Sequence, residues 1–136
     1  MQALLPFLKK KNYSQVIFMS SVAGYRGLPY AAAYCSSKSA ITTFAESIYN
    51  QCKNLGIAIR VINPGFVKTP LTDKNKFKMP MIIPVEKAAD IMYKKIVFSK
   101  KFEINCPWLF CFIMKILRLL PNSLYLSLTQ LLIKRL

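Results

Sequence analysis

Tyr34 and Lys38 form a pair whose residue types and spacing could support proton transfer. In an α-helix, a separation of four residues puts both side chains on one face, about 6 Å apart along the axis. A phenol with its free pKa of about 10 is a poor acid–base catalyst at neutral pH. A neighbouring ammonium group favours the phenolate, so the pair could give a proton to a carbonyl or take one from an alcohol. Taken alone, a tyrosine and a lysine at this spacing are typical of a solvent-exposed helix face without a catalytic role.

Two further groups of residues follow predicted strands. The apolar run 15–20 ends just before Ser21, and a second run, 57–62, ends before a Pro-Gly turn. Open α/β sheets place their sites at the carboxyl ends of such strands. Ser21 could therefore hold a substrate oxygen, Gly65 could let a ligand approach the backbone, and Thr69 adds a hydroxyl group. Taken singly, a serine that bonds local backbone and an ordinary strand-ending turn explain these residues equally well.

The segment between the two strands has helical periodicity from about residue 33 to 54, and Gly56 suits the position that ends a helix. A strand, a helix and a second strand in this order predict a crossover unit of a parallel sheet. The apolar residues of this helix that recur at three- and four-residue steps are Ala40, Ile41, Phe44, Ala45, Ile48 and Cys52.

Further elements are predicted on either side of this unit. Residues 2–9 read as the end of a helix, with Pro6 near its last turn, so we expect something to precede them. Residues 84–98 predict a helix with Pro84 in its first turn, and 102–105 a short third strand. The buried face of that helix is expected to contain Val85, Ala88, Met92 and Ile96.

The tail, residues 107–136, predicts two helices broken at Pro121-Asn122. Its longest uncharged runs, 104–114 and 119–133, are shorter than the ~20 residues of a spanning helix. Aromatic and basic residues suit a membrane surface, although a helix over the substrate pocket followed by a docking tail is the interpretation that we favour. The residues concerned are Trp108, Phe110, Phe112, Lys115, Arg118, Lys134 and Arg135.

Composition excludes several classes of function. The net charge is +15, but the only dense basic cluster is Lys9-Lys10-Lys11 and no nucleic-acid-binding motif accompanies it, so we predict no nucleic-acid partner. Four cysteines without a Cys-x-x-Cys pair, in a chain without histidine, predict no metal site. We expect free thiols in a reducing compartment and, without a visible secretory signal, a cytoplasmic protein, with membrane association as an addition.

Three blocks of sequence together resemble the short-chain dehydrogenase/reductase family. They are Val16-Ile17-Phe18-Met19-Ser20-Ser21-Val22-Ala23-Gly24, Tyr34-Cys35-Ser36-Ser37-Lys38-Ser39-Ala40 and Asn63-Pro64-Gly65-Phe66-Val67-Lys68-Thr69. Their order and spacing fit, and the resemblance runs from Leu4 to about Pro107. It implies the C-terminal half of a Rossmann-like, doubly wound parallel α/β sheet, as residues 1–106, with residues 107–136 as a helical tail.

The resemblance also implies roles for residues. Tyr34 would be the catalytic acid/base, Lys38 would lower its pKa and bind the nicotinamide ribose, and Ser21 would polarise the substrate carbonyl. Residues 68–80 would form a lid over the substrate. The reaction would be hydride transfer between NAD or NADP and a carbonyl or alcohol, and apolar lid residues favour a hydrophobic substrate. Tyr34 and Lys38 would both bind the cofactor, and Thr69 would lie near its carboxamide. The nicotinamide pocket would be lined by Pro64, Gly65, Val67 and Thr69. The resemblance also implies a homodimer through the long helix, and the residues that could serve either that contact or the core are Ala40, Phe44 and Ile48.

The family's Gly-rich Thr-Gly-x-x-x-Gly-x-Gly turn, which cradles the cofactor pyrophosphate, has no counterpart in this sequence. The sequence also contains no counterpart of the residue that selects NAD or NADP, or of the family's catalytic asparagine. We therefore expect a longer protein or a second chain to supply that half, because the serine strand would otherwise expose an unpaired edge. The alternatives are an inactive truncated remnant and a membrane-surface module acting through the tail.

Overall fold

The computed structural model describes residues 1–10, 13–74 and 79–133. Lys11 of the basic cluster, residues 75–78 of the expected lid, and Lys134 and Arg135 of the tail lie outside these ranges. The helices are α1 (Leu5–Lys9), α2 (Ala32–Asn54), α3 (Val85–Phe98), α4 (Trp108–Leu119) and α5 (Asn122–Ile133). The strands are β1 (Ser14–Met19), β2 (Ile57–Pro64), β3 (Val67–Lys68), β4 (Ile83–Pro84) and β5 (Glu103–Cys106).

A parallel sheet of order β1-β2-β5 forms the centre of the molecule. This confirms the predicted α/β class, with β1, α2 and β2 as a crossover unit. Strand β2 is central, and its Ile57, Ile59 and Val61 are at most 1% exposed because both faces are covered. Among the described strands β1 pairs with β2 alone, so its apolar residues are only half-buried and Met19 is 51% exposed. The expected open edge at the serine strand is present in this part of the chain.

Helix α2 packs on the sheet through a narrower face than the sequence predicts. Ala45 and Cys52 are buried, as expected, but Ala40 and Phe44 are exposed. Phe44 instead meets Phe18 of the edge strand, with ring centroids 5.7 Å apart. The edge strand covers only part of the helix, which explains the difference. Gly56 follows the helix with φ 73°, as expected for a residue that ends it.

The predicted positions of two prolines are wrong by a few residues. Pro84 belongs to the short strand β4, paired with Lys68, and α3 begins after it. Val85 is therefore the first helical residue and is exposed, whereas Ala88 is buried as predicted. Pro6 lies in the first turn of α1 rather than the last, where a missing backbone N–H costs no hydrogen bond.

The two tail helices cover the loop that follows β1. Phe110, Cys111 and Met114 of α4 form a core cluster with Val22 and Tyr25. The break between α4 and α5 lies at Leu120 and Pro121, one residue before the predicted Pro121-Asn122, because Asn122 already begins α5. No helix within the described ranges is long and apolar enough to cross a membrane.

The free thiols provide a direct test of this packing. Burial raises the pKa of the Cys111 thiol to about 11 and also raises that of Cys106. Because only the thiolate reacts, we expect iodoacetamide at neutral pH to leave the folded chain unmodified and to label every cysteine after denaturation. Intact mass gives the count, and rapid labelling of Cys111 in the native chain would show that α4 does not pack as described. All four thiols are buried and unpaired, namely Cys35, Cys52, Cys106 and Cys111.

Candidate active site

Ser21 connects the carboxyl ends of the two long strands. It adopts an extended backbone and begins the 3₁₀ turn Val22–Gly24, where its Oγ accepts a hydrogen bond from the Ala23 N–H at 3.2 Å. The same hydroxyl donates to the Pro64 carbonyl at the end of β2, at 3.3 Å. The side chain is 7% exposed. The structure therefore brings together Ser21 and Pro64, two of the site residues named from the sequence.

Tyr34 and Lys38 occupy the first two turns of α2 and share one face. The Lys38 Nζ lies 5.6 Å from the centroid of the Tyr34 ring and donates a hydrogen bond to the Met19 carbonyl at 3.1 Å. The Tyr34 side chain is 48% exposed, and its hydroxyl makes no hydrogen bond within the described part of the chain. The lysine thus joins the end of the serine strand to the face that carries the phenol, and the phenol is open to a ligand.

The start of α2 is held by small residues for which sequence reasoning assigned no role. The Ser20 Oγ donates to the Lys38 carbonyl at 2.9 Å and lies 2.8 Å from the Thr42 Oγ1. A Cβ atom on Gly24 would lie 2.9 Å from the Lys38 carbonyl carbon, closer than real contacts allow. Ser20, Thr42 and Gly24 together fix the backbone of Lys38 against the end of β1. Such close contacts leave no trace in spacing or periodicity.

Substitution of Gly24 tests this close contact. We expect Gly24→Ala to lower the free energy of unfolding by about 1–3 kcal/mol, because the helix must move away from the added methyl group. Gly27→Ala is the matched control, since a Cβ there meets nothing within 4 Å. Urea denaturation of both variants gives the comparison. Equal midpoints would mean that the contact between the turn and α2 is not as close as described.

The turn after β2 is held by the tail. The Gly65 N–H donates to the Cys106 carbonyl at 2.7 Å. A Cβ on Gly65 would lie 2.6 Å from the Phe110 Cδ1, so packing against α4 already requires glycine there. This packing is a second reason for glycine at position 65, in addition to the close approach of a ligand inferred from the sequence. It could not be found from local sequence, because Phe110 is far along the chain.

Val67 and Thr69 lie in local structure beyond that turn. Val67 pairs with Ile83 in the small β3-β4 sheet. The Thr69 Oγ1 lies 3.3 Å from the Thr72 Oγ1, which also donates to the Val67 carbonyl at 2.8 Å. The Thr69 hydroxyl is thus engaged with its own loop. A cofactor carboxamide would have to share or replace that contact.

A buried polar cluster lies beneath the site. The Tyr25 hydroxyl donates to the Asn105 Oδ1 at 3.0 Å, and the Lys95 Nζ donates to the Asn105 carbonyl at 2.6 Å. Burial, with the nearby Glu103 carboxylate, raises the pKa of Tyr25 well above its usual value. Tyr25 therefore stays a neutral donor at physiological pH. Asn63 is fully buried beside it, and its Oδ1 has no partner within the described residues.

Arg26 fastens the loop after Ser21 to the tail. Its guanidinium donates to the carbonyls of Leu117 at 3.1 Å and Leu120 at 2.6 Å, and it lies 4.1 Å from the centroid of the Tyr125 ring. The Tyr125 hydroxyl in turn donates to the Gly27 carbonyl at 2.6 Å. A positive charge is stabilising at the carboxyl end of a helix, where carbonyls are unpaired. Neither periodicity nor spacing in the sequence indicates this role of Arg26.

A cavity of about 230 Å³ opens at the amino end of β2, where Ile57 lies. Ser21 and Pro64 lie at the other end of their strands, so the cavity is not part of the candidate site. Its lining includes Tyr13, Lys53 and Lys100.

Comparison with known proteins relates the chain to dehydrogenases. The model of the short chain dehydrogenase family matches residues 1–79. An uncharacterized oxidoreductase of Myxococcus xanthus is 35% identical over 125 residues, which are 92% of this chain and 49% of that protein. The human 17-beta-hydroxysteroid dehydrogenase 13 is 28% identical over 103 residues, or 74% of this chain and 34% of that protein. The chain thus spans about half the length, or less, of these relatives.

Solved structures share the fold. A short chain dehydrogenase from Burkholderia cenocepacia in complex with NADP has a TM-score of 0.76 at 22% identity, covering 93% of this chain and 52% of its own. A short chain dehydrogenase/reductase from Burkholderia phymatum in complex with NAD has a TM-score of 0.68 at 17% identity, covering 84% and 50%. At these identities the likeness concerns the architecture of the sheet and its helices.

Proposed function

The chain belongs to the short-chain dehydrogenase/reductase family, and we propose that it carries the Ser-Tyr-Lys half of an NAD(P)-dependent oxidoreductase. The family implies a nicotinamide cofactor and a small-molecule substrate. The observation that carries the proposal is the Lys38 ammonium, which lies beside the ring of an exposed Tyr34 and bonds the Met19 carbonyl, two residues before Ser21. The proposed reaction is hydride transfer between the cofactor and a carbonyl or alcohol.

In this proposal each side chain has one task. Ser21 orients and polarises the substrate carbonyl, and Tyr34 gives its phenolic proton to the carbonyl oxygen, or accepts one in the reverse direction. Lys38, whose ammonium lies beside the Tyr34 ring, binds the nicotinamide ribose with the N–H groups not used on Met19. The cofactor, when bound, supplies or accepts the hydride. Pro64, Gly65, Val67 and Thr69 line the nicotinamide side, which the contact of Pro64 with Ser21 supports.

The substrate that we propose is hydrophobic. Met81 and Ile82, directly after the proposed lid, are 41% and 38% exposed, so a substrate that reaches them meets apolar surface. The human relative is named as a 17-beta-hydroxysteroid dehydrogenase. Neither observation selects NAD over NADP.

The proposed organisation is residues 1–106 as part of the catalytic domain and 107–136 as a tail docked on it. A complement containing the Gly-rich turn would pair with the open edge of β1. The exposed Ala40 and Phe44 of α2 support a homodimer through that helix. A cytoplasmic location agrees with the buried free thiols.

The test joins the chain to the part of the M. xanthus relative that its match leaves uncovered. We expect the fusion to bind NADH or NADPH with a rise in nicotinamide fluorescence, and Lys38→Met to weaken that binding. Lys94→Met is the control, because Lys94 lies on α3 and pairs with Asp90. If neither this fusion nor another dehydrogenase N-terminal half yields cofactor binding, the oxidoreductase proposal fails and the inactive remnant is supported.

A further inference from the structure

We propose that α4 docks this protein on the surface of an anionic lipid membrane through its exposed apolar side. This docking face consists of Trp108, Leu109, Phe112, Ile113, Ile116 and Leu119. Their exposed fractions are 66%, 40%, 55%, 41%, 48% and 83%. With 3.6 residues per turn, the six side chains fall within an arc of about 140° that contains no polar residue. Patches of this kind on a monomer mark a site of interaction.

The opposite side of α4 is already used. Phe110, Cys111 and Met114 are buried in the core cluster beside Val22 and Tyr25. The helix is therefore apolar almost all round, with one side in the core and the other open. A helix that is apolar on every side is normally buried on every side, in protein or in lipid. Since the buried side anchors the helix, the docking face keeps a defined orientation when it meets a partner.

Charge points to an anionic lipid surface as that partner. The chain carries +15, and residues 107–136 contain four basic residues and no acidic one. On α4 itself, Lys115 pairs with Glu103 of β5 and Arg118 is exposed. A second copy docked through the same face would bring two acid-free, basic tails together, and their like charges oppose that contact. An anionic bilayer instead attracts the basic residues of the tail.

The dimensions of the helix suit the membrane interface. Its 12 residues span about 18 Å, too short to cross a bilayer but suited to lying in its surface. Trp108 begins the helix, and tryptophan prefers the level of the lipid headgroups. Helix α5 adds exposed leucines in the same acid-free tail, namely Leu124, Leu126, Leu128 and Leu131.

Trp108 is the only tryptophan of the chain, so its fluorescence reports on this face alone. The full chain is mixed with vesicles of phosphatidylcholine, with or without phosphatidylglycerol. We expect flotation and a blue shift of the emission only with the anionic vesicles, both weakened by salt. The double variant Phe112→Glu, Ile116→Glu should weaken binding by at least about tenfold. Phe98→Glu is the matched control, because Phe98 is 81% exposed on α3.

Three outcomes would overturn the proposal. The first is no flotation with anionic vesicles. The second is binding that Phe98→Glu reduces as much as the α4 variant does. The third is a blue shift that grows with protein concentration without vesicles, which would make the face a contact between copies of the chain. If circular dichroism shows that the double variant is unfolded, Phe112→Ser replaces it, with Phe98→Ser as its control.

Discussion

Replacement of Tyr34 by phenylalanine is expected to lower kcat/KM for carbonyl reduction by about 10²–10⁴-fold, the usual contribution of a positioned acid or base. The variant loses only the hydroxyl group, which makes no hydrogen bond within the described residues, and the side chain is 48% exposed. Folding and cofactor binding should therefore survive. The measurement is the change in nicotinamide absorbance with a panel of apolar ketones, made on the cofactor-binding fusion described above.

Tyr93→Phe is the control for this loss. Tyr93 lies on α3 and is 65% exposed, so it also loses a solvent-facing hydroxyl. Unchanged turnover in Tyr34→Phe would remove the acid–base role. Absence of turnover in the unmodified fusion, despite cofactor binding, would support an inactive remnant.

The largest loss of stability is expected from substitution of Arg60, a buried cation on the central strand β2. Its side chain is 2% exposed, and its guanidinium donates to the carbonyls of Lys95 and Ile96, each at 2.7 Å, and of Lys101 at 3.1 Å. Burial lowers the pKa of Arg60 from its usual value. These carbonyls at the end of α3 compensate for the lost hydration, and the negative end of the helix dipole adds to this.

Arg60→Met should therefore lower the free energy of unfolding by about 3 kcal/mol or more, because the carbonyls lose their donors while the site stays buried. Arg60→Lys is expected to recover only part of the loss, since an ammonium group cannot reproduce the planar fork. Arg118→Met, at an exposed position, is the control. Chemical denaturation of the three variants measures this. A small effect of Arg60→Met would show that water reaches the end of α3.

Local patterns predicted the elements of this fold well. Helix α2 and strand β2 follow from helical periodicity and from a continuous apolar run, and the observed bounds differ by one or two residues from the predicted ones. The family blocks placed Ser21 and Pro64 at adjacent strand ends. Contacts between distant residues were not predictable, such as Phe110 over Gly65 or the carbonyls around Arg60, because neither periodicity nor spacing encodes which distant side chain fills a gap. The exposed Phe44 was missed because it depends on how far β1 covers α2.

The contacts of Arg26 with the tail helices affect the order in which parts of the protein fold during synthesis. The loop that begins at Ser21 finds its hydrogen-bond partners 91 to 98 residues later, in α4 and α5. During synthesis from the amino end, β1 and α2 leave the ribosome long before those carbonyls and Tyr125 exist. The loop around Arg26 and Gly27 therefore reaches its final position only once most of the chain has emerged, and until then Val22 and Tyr25 present an apolar surface that chaperones can bind.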